Sequence, residues 1–284
     1  MVGTRGGFSL VEAMVALLLS SLIIMMVAGI FLTQNRSYQT QLGVTDAHHN
    51  ARAVTELLSG ELRSVMEGGI QLAESDEITI RTPLVLAAVC ATNGILVGLH
   101  AEGGTAAIEV HEEEVAGFAV MDGGGGWDYY NVDWATIDNG STSSSIAGFC
   151  YTNGADTVGG RNDFLALRNL DSYHPTVPDV GELILLFSET TFKFQTSLLD
   201  PTTVGLFRQI SGDTLVEFAT GMDYTAQFQY RTGGSTYANS VSGASLGDID
   251  VVRIVSEVKE PPPPGAQDAI RYGWSVNVAL RNVR

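Results

Sequence analysis

The most prominent pattern in this chain is a run of apolar residues near its N-terminus that contains no charged side chain. The run extends from Ala13 to Asn35, and its first twenty residues are interrupted only by Ser20, Ser21 and Gly29. Twenty helical residues at about 1.5 Å each span about 30 Å, the thickness of the hydrocarbon core of a bilayer. Only a helix satisfies all of its backbone polar groups within one segment in lipid, so the run predicts a membrane-spanning helix.

Beyond this run, apolar residues recur every three or four positions, which is typical of one face of a soluble helix. The pattern predicts an amphipathic continuation over 36–67 that ends at Gly68-Gly69, so the complete helix is expected from Phe8 to Glu67. The predicted buried stripe comprises Val44, Ala47, Ala51, Val54, Leu58, Leu62 and Val65. The predicted solvated face comprises Asp46, His48, Asn50, Arg52, Glu56, Glu61 and Arg63.

The remainder of the chain, 68–284, consists of short alternating or apolar segments separated by Gly-rich turns, which predicts antiparallel strands. The predicted strands are Glu77 to Thr82, Ala106 to His111, Asp163 to Arg168, Glu182 to Phe187, Thr191 to Gln195, Leu206 to Ile210, Thr214 to Phe218, Tyr224 to Arg231, Asp250 to Val258 and Ile270 to Leu280. A tight hairpin is expected at Ser211-Gly212-Asp213, and a long surface loop is expected over about 120–152. The sequence therefore predicts an α+β fold in which a long N-terminal helix packs on antiparallel sheet.

The chain is strongly acidic, with a formal net charge of −17. Nucleic-acid binding needs a basic surface, and electrostatic attachment to anionic lipid needs clustered Lys and Arg, so neither is expected. A net charge of this size instead favours solubility of the domain that follows the helix.

One carboxylate, Glu12, lies at the very start of the apolar helix, and Gly6-Gly7 precede it. An ordinary secretory signal places its apolar region upstream of the cleavage site, whereas cleavage after Gly7 would leave the helix on the mature chain. A carboxylate in an apolar helix is costly and usually has a partner. In a bundle of parallel helices, the N-terminal ammonium of a neighbouring subunit is a natural counter-ion for Glu12. The alternative is a plain membrane anchor in which the Glu has no role.

The segment from Gly7 to Glu12, followed by the apolar helix, resembles the N-terminus of the type IV prepilin family, which includes pilins, minor pilins and type II secretion pseudopilins. The resemblance implies a leader over 1–7, cleavage between Gly7 and Phe8 by a prepilin peptidase, and N-methylation of Phe8. It also implies a filament-core helix over 8–35 and a role for Glu12 in the register of subunits. The expected partners are other pilins, through this helix, and the prepilin peptidase.

The order of strand-like segments over 180–284 is similar to that of the larger PilW-type minor pilins and of the J-type pseudopilins. The resemblance implies a pilin-like fold and a structural subunit that primes, caps or assembles a type IV pilus. Its location would be the inner membrane before assembly, and afterwards an extracellular pilus or a periplasmic pseudopilus. A type II secretion pseudopilin is the first alternative. A filament-tip adhesin is the second, with Trp127, Tyr129, Tyr130 and Trp134 as candidate contact residues in the predicted loop.

The two cysteines, Cys90 and Cys150, are candidates for a disulfide, because an exported domain folds where disulfides form. Such a bridge would close a loop of about sixty residues and contribute about 4 kcal/mol in the chain-entropy model. The alternative is two separate buried thiols.

Acidic residues suggest one weak candidate for a metal site. Asp122, Asp128, Asp133 and Asp138 lie in the Gly-rich predicted loop and offer oxygen ligands for calcium, although their spacing does not match an EF-hand. The alternative is an exposed acidic loop. His111 to Glu114 lacks a second His at helical spacing and is expected to be a solvated charge cluster. No pattern typical of an active site is present, so we expect no resident cofactor and no enzymatic activity.

Overall fold

The computed structural model describes residues 9–92, 96–101, 114–121, 126–131, 137–138, 164–168, 178–211, 213–260 and 270–280. Within these ranges the chain forms one long helix, α1 (Leu10–Ser64), followed by thirteen strands and a short 3₁₀ helix, Gly243–Asp248. The strands are β1 (Ile70–Ala73), β2 (Glu77–Thr92), β3 (Leu96–Ala101), β4 (Gly117–Met121), β5 (Trp127–Asn131), β6 (Ile137–Asp138), β7 (Phe164–Arg168), β8 (Leu183–Thr196), β9 (Val204–Ile210), β10 (Val216–Met222), β11 (Gln227–Arg231), β12 (Val251–Glu260) and β13 (Ile270–Ala279). The pairings between these strands are antiparallel, so the predicted α+β class is confirmed.

The chain divides into two compact units. One comprises α1 as far as His49 together with Lys259–Tyr272. In this unit the ring of His48, which is exposed, lies 4.0 Å from that of Tyr272, centroid to centroid. The other unit comprises Asn50–Val258 and the residues from Gly273 onward, and it contains most of the sheet.

The last part of α1 is amphipathic, as its spacing predicted. Val54, Leu58 and Leu62 are fully buried, and they share one core with residues of the sheet. Fully burying a leucine contributes about 1.5–3 kcal/mol, so this stripe is a major source of stability for the helix–sheet contact. The helix ends at Ser64, three residues earlier than predicted, and Gly68 turns the chain with a positive φ of 73°.

Glu61 does not belong to the solvated face to which the sequence pattern assigned it. Its Oε1 accepts a hydrogen bond from Nη2 of Arg208 on β9 at 2.6 Å, and both side chains are less than one-third exposed. Helical spacing alone placed Glu61 outward, because the partner lies 147 residues further along the chain. The pair fixes the polar edge of the contact between α1 and the sheet.

Strands β2 and β8 form the centre of the sheet and are longer than predicted. Over their paired length, Glu77 faces Lys193 at one end and Ala88 faces Leu183 at the other. Two predicted strands, Glu182 to Phe187 and Thr191 to Gln195, are in fact the single strand β8. The intervening Ser-Glu-Thr contains no turn-forming Gly, Pro, Asn or Asp, so nothing interrupts the strand.

The main core lies between the amphipathic part of α1 and one face of the sheet. Its sheet residues come from strands that are far apart in sequence, and they include Ile78, Ile80, Phe192, Phe194, Leu206, Phe228, Val252 and Ile254. β9 and β10 pair antiparallel, as the predicted hairpin requires, and Asp213 N–H donates to the carbonyl of Ile210 at 2.9 Å, but β10 begins at Val216, two residues later than predicted. Gly212 of the predicted turn lies outside the described residues. The predicted strand Ala106 to His111 lies outside the described residues.

One buried hydroxyl ties β11 to the start of β2, and its removal gives a testable prediction. The Tyr230 side chain is buried, and its O–H donates to the carbonyl of Glu74 at 2.7 Å. Burial, with smaller contributions from Asp76 and Glu74, raises the pKa of this phenol above its usual value. Tyr230→Phe should therefore lower the free energy of unfolding by about 1–2 kcal/mol, because the hydrogen bond of a buried side chain is lost. Denaturant titration followed by circular dichroism measures the change.

Tyr224→Phe is the matched control for this prediction. The Tyr224 hydroxyl also donates to a carbonyl, that of Pro201 at 3.1 Å, but the residue is 64% exposed and water can replace the bond. We expect a change within about 0.5 kcal/mol. Equal losses in the two variants would show that burial of the Tyr230 hydroxyl contributes nothing.

Candidate functional site

The first thirty-three residues of α1, Leu10–Leu42, contain a membrane-length apolar stretch whose large apolar side chains are exposed. The most apolar 18-residue stretch within this segment has a mean hydropathy of 2.7, and none of that stretch is buried against the rest of the protein. Within the described residues, α1 is the helix that is long and apolar enough to cross a membrane. The structure therefore agrees with the membrane-spanning helix that the charge-free run predicted.

The hydroxyl groups of Ser20, Ser21 and Thr33 in this segment are hydrogen-bonded within the helix itself. Ser20 Oγ donates to the carbonyl of Ala16 at 2.7 Å, and Thr33 Oγ1 donates to that of Gly29 at 2.9 Å. Ser21 Oγ makes an equivalent bond to the carbonyl of Leu18. A hydroxyl that is satisfied in this way adds little cost in an apolar environment. These three hydroxyls therefore do not interrupt the apolar stretch.

Glu12 lies in the first turn of α1, and its side chain is exposed. The turn begins at Ser9, whose carbonyl accepts hydrogen bonds from the N–H groups of Glu12 at 3.0 Å and Ala13 at 3.1 Å. A carboxylate in the first turn interacts favourably with the positive end of the helix dipole. Gly7 and Phe8, the predicted cleavage and methylation positions, precede the described residues.

Part of the predicted surface loop is a strand. Trp127, Tyr129 and Tyr130 belong to β5, which pairs with β4, and all three are half-buried. The segment 126–131 was expected to be loop because of its flanking glycines, but its Trp-Asp-Tyr-Tyr-Asn sequence has the aromatic content of a strand. Trp134 lies outside the described residues.

The aromatic rings of β5 pack against the sheet. The guanidinium of Arg81 lies 4.7 Å from the ring centroid of Tyr129 and 5.2 Å from that of Phe187. Tyr129 also donates its O–H to the carbonyl of Glu67, just beyond α1, at 3.0 Å. On the other strand face, the Tyr130 ring stacks on Phe118 at 5.3 Å. These contacts hold the β4–β5 hairpin in place.

The electrostatics of this cluster follow from its burial. Burial raises the pKa of the Tyr129 phenol to about 12, with Arg81 opposing the shift and Glu67 adding to it. Burial likewise lowers the pKa of Arg81, although the Glu189 carboxylate, 3.6 Å from Nε, favours the charged form. Sequence reasoning missed this cluster, because Arg81 and Tyr129 come from distant strands.

The remaining predicted site residues are not brought together by the described structure. Cys90 lies on β2 and Cys150 lies outside the described residues, so the disulfide stays a prediction. Asp128 is exposed on β5 and Asp138 belongs to β6, while Asp122 and Asp133 lie outside the described residues. Among the residues that are described, no group of three or more His, Cys, Asp or Glu side chains is arranged to hold a metal ion.

No family model, curated protein or solved structure matches this chain. What the apolar helix can do follows from its own chemistry. An exposed apolar surface of this length is stable when it is covered, and lipid and the apolar faces of other helices are the two environments that cover a single helix. Both environments place Glu12 at the end of the covered segment.

Proposed function

We propose that this protein is a structural subunit of a type IV filament, a minor pilin that takes part in pilus assembly, priming or tip formation. In this proposal a prepilin peptidase cleaves the chain between Gly7 and Phe8, and the new N-terminus on Phe8 is methylated. The chain is held in the inner membrane by α1 before assembly. It then moves into a filament whose core consists of parallel apolar helices.

The observation that carries the proposal is the combination of an exposed apolar helix with one carboxylate in its first turn. An anchor that only holds a domain in a membrane needs the apolar length but not the carboxylate, which raises the cost of insertion. A helix that also packs beside identical or similar helices has a use for one charge close to a chain terminus. Counted from Phe8, Glu12 is the fifth residue, so its carboxylate lies within about 6 Å of the new N-terminus along the helix axis.

Register between subunits follows from this placement. When the ammonium on Phe8 of one subunit meets Glu12 of the next, both charges are paired as they leave water. A shift of one helical turn would leave both of them buried without a partner, at a cost of several kcal/mol. Apolar packing alone gives helices little preference for one axial position, so the ionic contact supplies the specificity.

The remainder of the molecule is compatible with export. The second part of α1 is attached to the sheet through a buried stripe, so pulling the helix out of lipid would carry the folded domain with it. The high negative charge favours a soluble domain on the outer side of the membrane.

Mass spectrometry of the mature N-terminus, after expression in a host with a type IV pilus system, tests the proposal. We expect an N-terminal peptide that begins at Phe8 and carries one methyl group on its amine. Sheared surface filaments should contain the same processed chain. An intact Met1, or a new N-terminus downstream of the apolar run, would overturn the proposal.

A matched host that lacks the prepilin peptidase provides the control. In that host the leader should remain, and the chain should stay in the inner-membrane fraction. Recovery of the processed chain from sheared pili supports a pilus subunit. Recovery only from the periplasm of a secreting cell would instead identify a type II secretion pseudopilin.

A further inference from the structure

Arg253, on β12, has no acidic partner among the described residues. Its neighbours Val252 and Ile254 belong to the main core, so Arg253 lies on the opposite face of the strand. Four other Lys or Arg side chains on the strands each pair with a carboxylate: Arg81 with Glu189, Lys193 with Glu77, Arg208 with Glu61 and Arg231 with Asp250. Asp and Glu outnumber Lys and Arg by 32 to 15 in this chain, so an internal carboxylate is the usual partner for a cation. The guanidinium of Arg253 is therefore open to an external anion.

The guanidinium of Arg253 is held in place without using its hydrogen-bond donors. Its Cζ lies 5.3 Å from the ring centroid of Tyr237, a distance typical of a cation–π contact. The residue is half-buried, and its Nε is buried without a hydrogen-bond partner in the described structure. The burial stops short of the two Nη groups, which also bond none of the described residues. Two such groups form a planar fork that matches the two oxygens of a carboxylate.

Three amide side chains lie close to Arg253 and Tyr237. Gln229 on β11 is the direct cross-strand neighbour of Arg253. Its Nε2 donates to Oδ1 of Asn239 at 3.3 Å, and the hydroxyl of Tyr237 donates to Oδ1 of Asn277 on β13 at 3.4 Å. Both asparagines are exposed, and both of these hydrogen bonds are long. An amide offers a donor and an acceptor, as a hydroxyl does, so these side chains suit a hydroxyl-bearing ligand.

We propose that these five residues, Arg253, Tyr237, Gln229, Asn239 and Asn277, bind a sugar acid, that is, a pyranose with one carboxylate and adjacent hydroxyl groups. We call them the Arg253 cluster. The carboxylate binds the two Nη groups of Arg253, and the hydroxyls bond the three amides. A ligand with one negative charge suits a cluster with one positive charge. A phosphate monoester carries almost two charges and meets more repulsion from a chain with a net charge of −17.

The local charges allow a monoanion to approach Arg253. Asp250, three residues earlier, has its carboxylate bonded to Arg231 and does not compete for the guanidinium. Glu257 lies on the same face of β12, but four residues correspond to about 13 Å along a strand. Charges on the rest of the surface are screened beyond about 8 Å at physiological ionic strength. The acidity of the whole chain therefore does not prevent binding at this point.

The experiment follows the Nε–H signal of Arg253 by NMR, in the full chain with isotope-labelled arginine. A polyoxyethylene detergent keeps the chain in solution, because it contains neither sugar nor charge. Nε of Arg253 is buried, so its proton is shielded from rapid exchange with water. Sodium glucuronate should shift this signal saturably, with a dissociation constant on the order of 1 mM, as expected for one monosaccharide on a half-exposed site.

Arg231 provides an internal control in the same spectrum. It lies on the neighbouring strand β11, and its Nε donates to Oδ1 of Asp250 at 3.0 Å, so an added carboxylate should not move its signal. Two further probes separate the parts of the ligand at constant ionic strength. Glucose lacks the carboxylate and acetate lacks the hydroxyls, so each should bind roughly tenfold more weakly than glucuronate.

Variants test the individual contacts. Tyr237→Leu removes the ring that supports the guanidinium and should weaken glucuronate binding roughly fivefold. Asn277→Ala should weaken binding of glucuronate but not of acetate, because the amide contacts only the sugar hydroxyls. Arg253→Lys identifies the Arg253 signal by its loss, and it should reduce saturation transfer to glucuronate roughly tenfold, because Lys has no planar fork. Tyr224→Leu changes another exposed tyrosine and should leave binding unchanged.

The proposal is wrong if saturating glucuronate leaves the Arg253 signal in place, or if the Arg231 signal shifts equally. Equal affinities for acetate and glucuronate would exclude recognition of the sugar. Wild-type affinity in a Tyr237→Leu chain with an unchanged Arg231 signal would exclude the cluster as the binding site. The inference goes beyond the proposed function and requires neither cleavage at Gly7 nor the charge of Glu12, so the two can fail separately.

Discussion

Replacing Glu12 by Ala is expected to reduce incorporation of this chain into filaments by more than tenfold. In the proposed filament, the substitution would leave the ammonium on Phe8 of the neighbouring subunit without its counter-ion in an apolar core. Removing one partner of a buried ion pair costs about 3–5 kcal/mol, and each 1.4 kcal/mol corresponds to about a factor of ten. The measurement is the ratio of processed chain in sheared filaments to processed chain in the inner-membrane fraction, determined by quantitative immunoblotting.

Two further variants separate register from other effects. Glu12→Asp keeps the charge on a shorter side chain and should recover part of the lost incorporation. Ser20→Ala removes a hydroxyl whose hydrogen bond is satisfied within the helix and should behave like the wild type. Mass spectrometry must find the same N-terminus in every variant, because a change in cleavage would also reduce assembly. Wild-type incorporation of a correctly processed Glu12→Ala chain would exclude a role for Glu12 in register.

The sequence was sufficient to predict α1, because both of its halves obey strong local rules. A charge-free run as long as a bilayer is thick has one structural solution in lipid, and spacings of three and four predict a buried face. Leu58 and Leu62 are therefore buried as expected. The helix end was placed less accurately, since the two glycines after Glu67 mark the turn and not the last helical residue.

Local sequence rules could not predict which strands pair with each other. The pairing of β2 with β8 joins residues about one hundred positions apart, and a strand pattern does not identify its partner. For the same reason, the contacts of Arg208 with Glu61 and of Arg81 with Tyr129 could not be anticipated. Glu61 was assigned to the solvated face because only the pattern of its own helix was visible, and nothing in the sequence singled out Arg81 or Arg208.

The same difference between local and long-range information applies to the candidate functional residues. Glu12 could be proposed as an assembly residue because that proposal depends only on its neighbours in sequence, an apolar run and a segment that resembles a prepilin cleavage site. The sequence does not show in the same way which apolar side chains the folded sheet leaves exposed. Leu198 and Val216 have the same apolar character as Leu58, and only the structure distinguishes a buried leucine from an exposed one.

The largest loss of stability is expected from Gly117→Ala on β4. Gly117 pairs with Asn131 of β5 on one side and with Phe187 of β8 on the other. A Cβ at this position would overlap the carbonyl oxygen of Tyr130 and lie 2.5 Å from Cζ of Phe187. Neither neighbour can move freely, because Tyr130 O belongs to the backbone and the Phe187 ring is fully buried.

Overpacking in a well-packed core costs about 1–3 kcal/mol, and two simultaneous overlaps place this variant at the upper end of that range. The melting temperature of the full chain in detergent, followed by near-ultraviolet circular dichroism, should fall by roughly 10 °C. The substitution should also separate the β5 aromatic rings from the sheet. Tryptophan fluorescence should then shift to longer wavelength.

Gly60→Ala introduces the same methyl group where it meets nothing. Gly60 is an exposed residue of α1, and no atom lies within 4 Å of a Cβ built on it. Because Ala is the better helix former, this variant should be more stable than the wild type by about 0.5–1 kcal/mol. If Gly117→Ala lowers the stability and Gly60→Ala raises it, the loss at Gly117 is due to the overlap with Tyr130 and Phe187. A stable Gly117→Ala variant would mean that the β4–β5 hairpin does not pack against β8 as described.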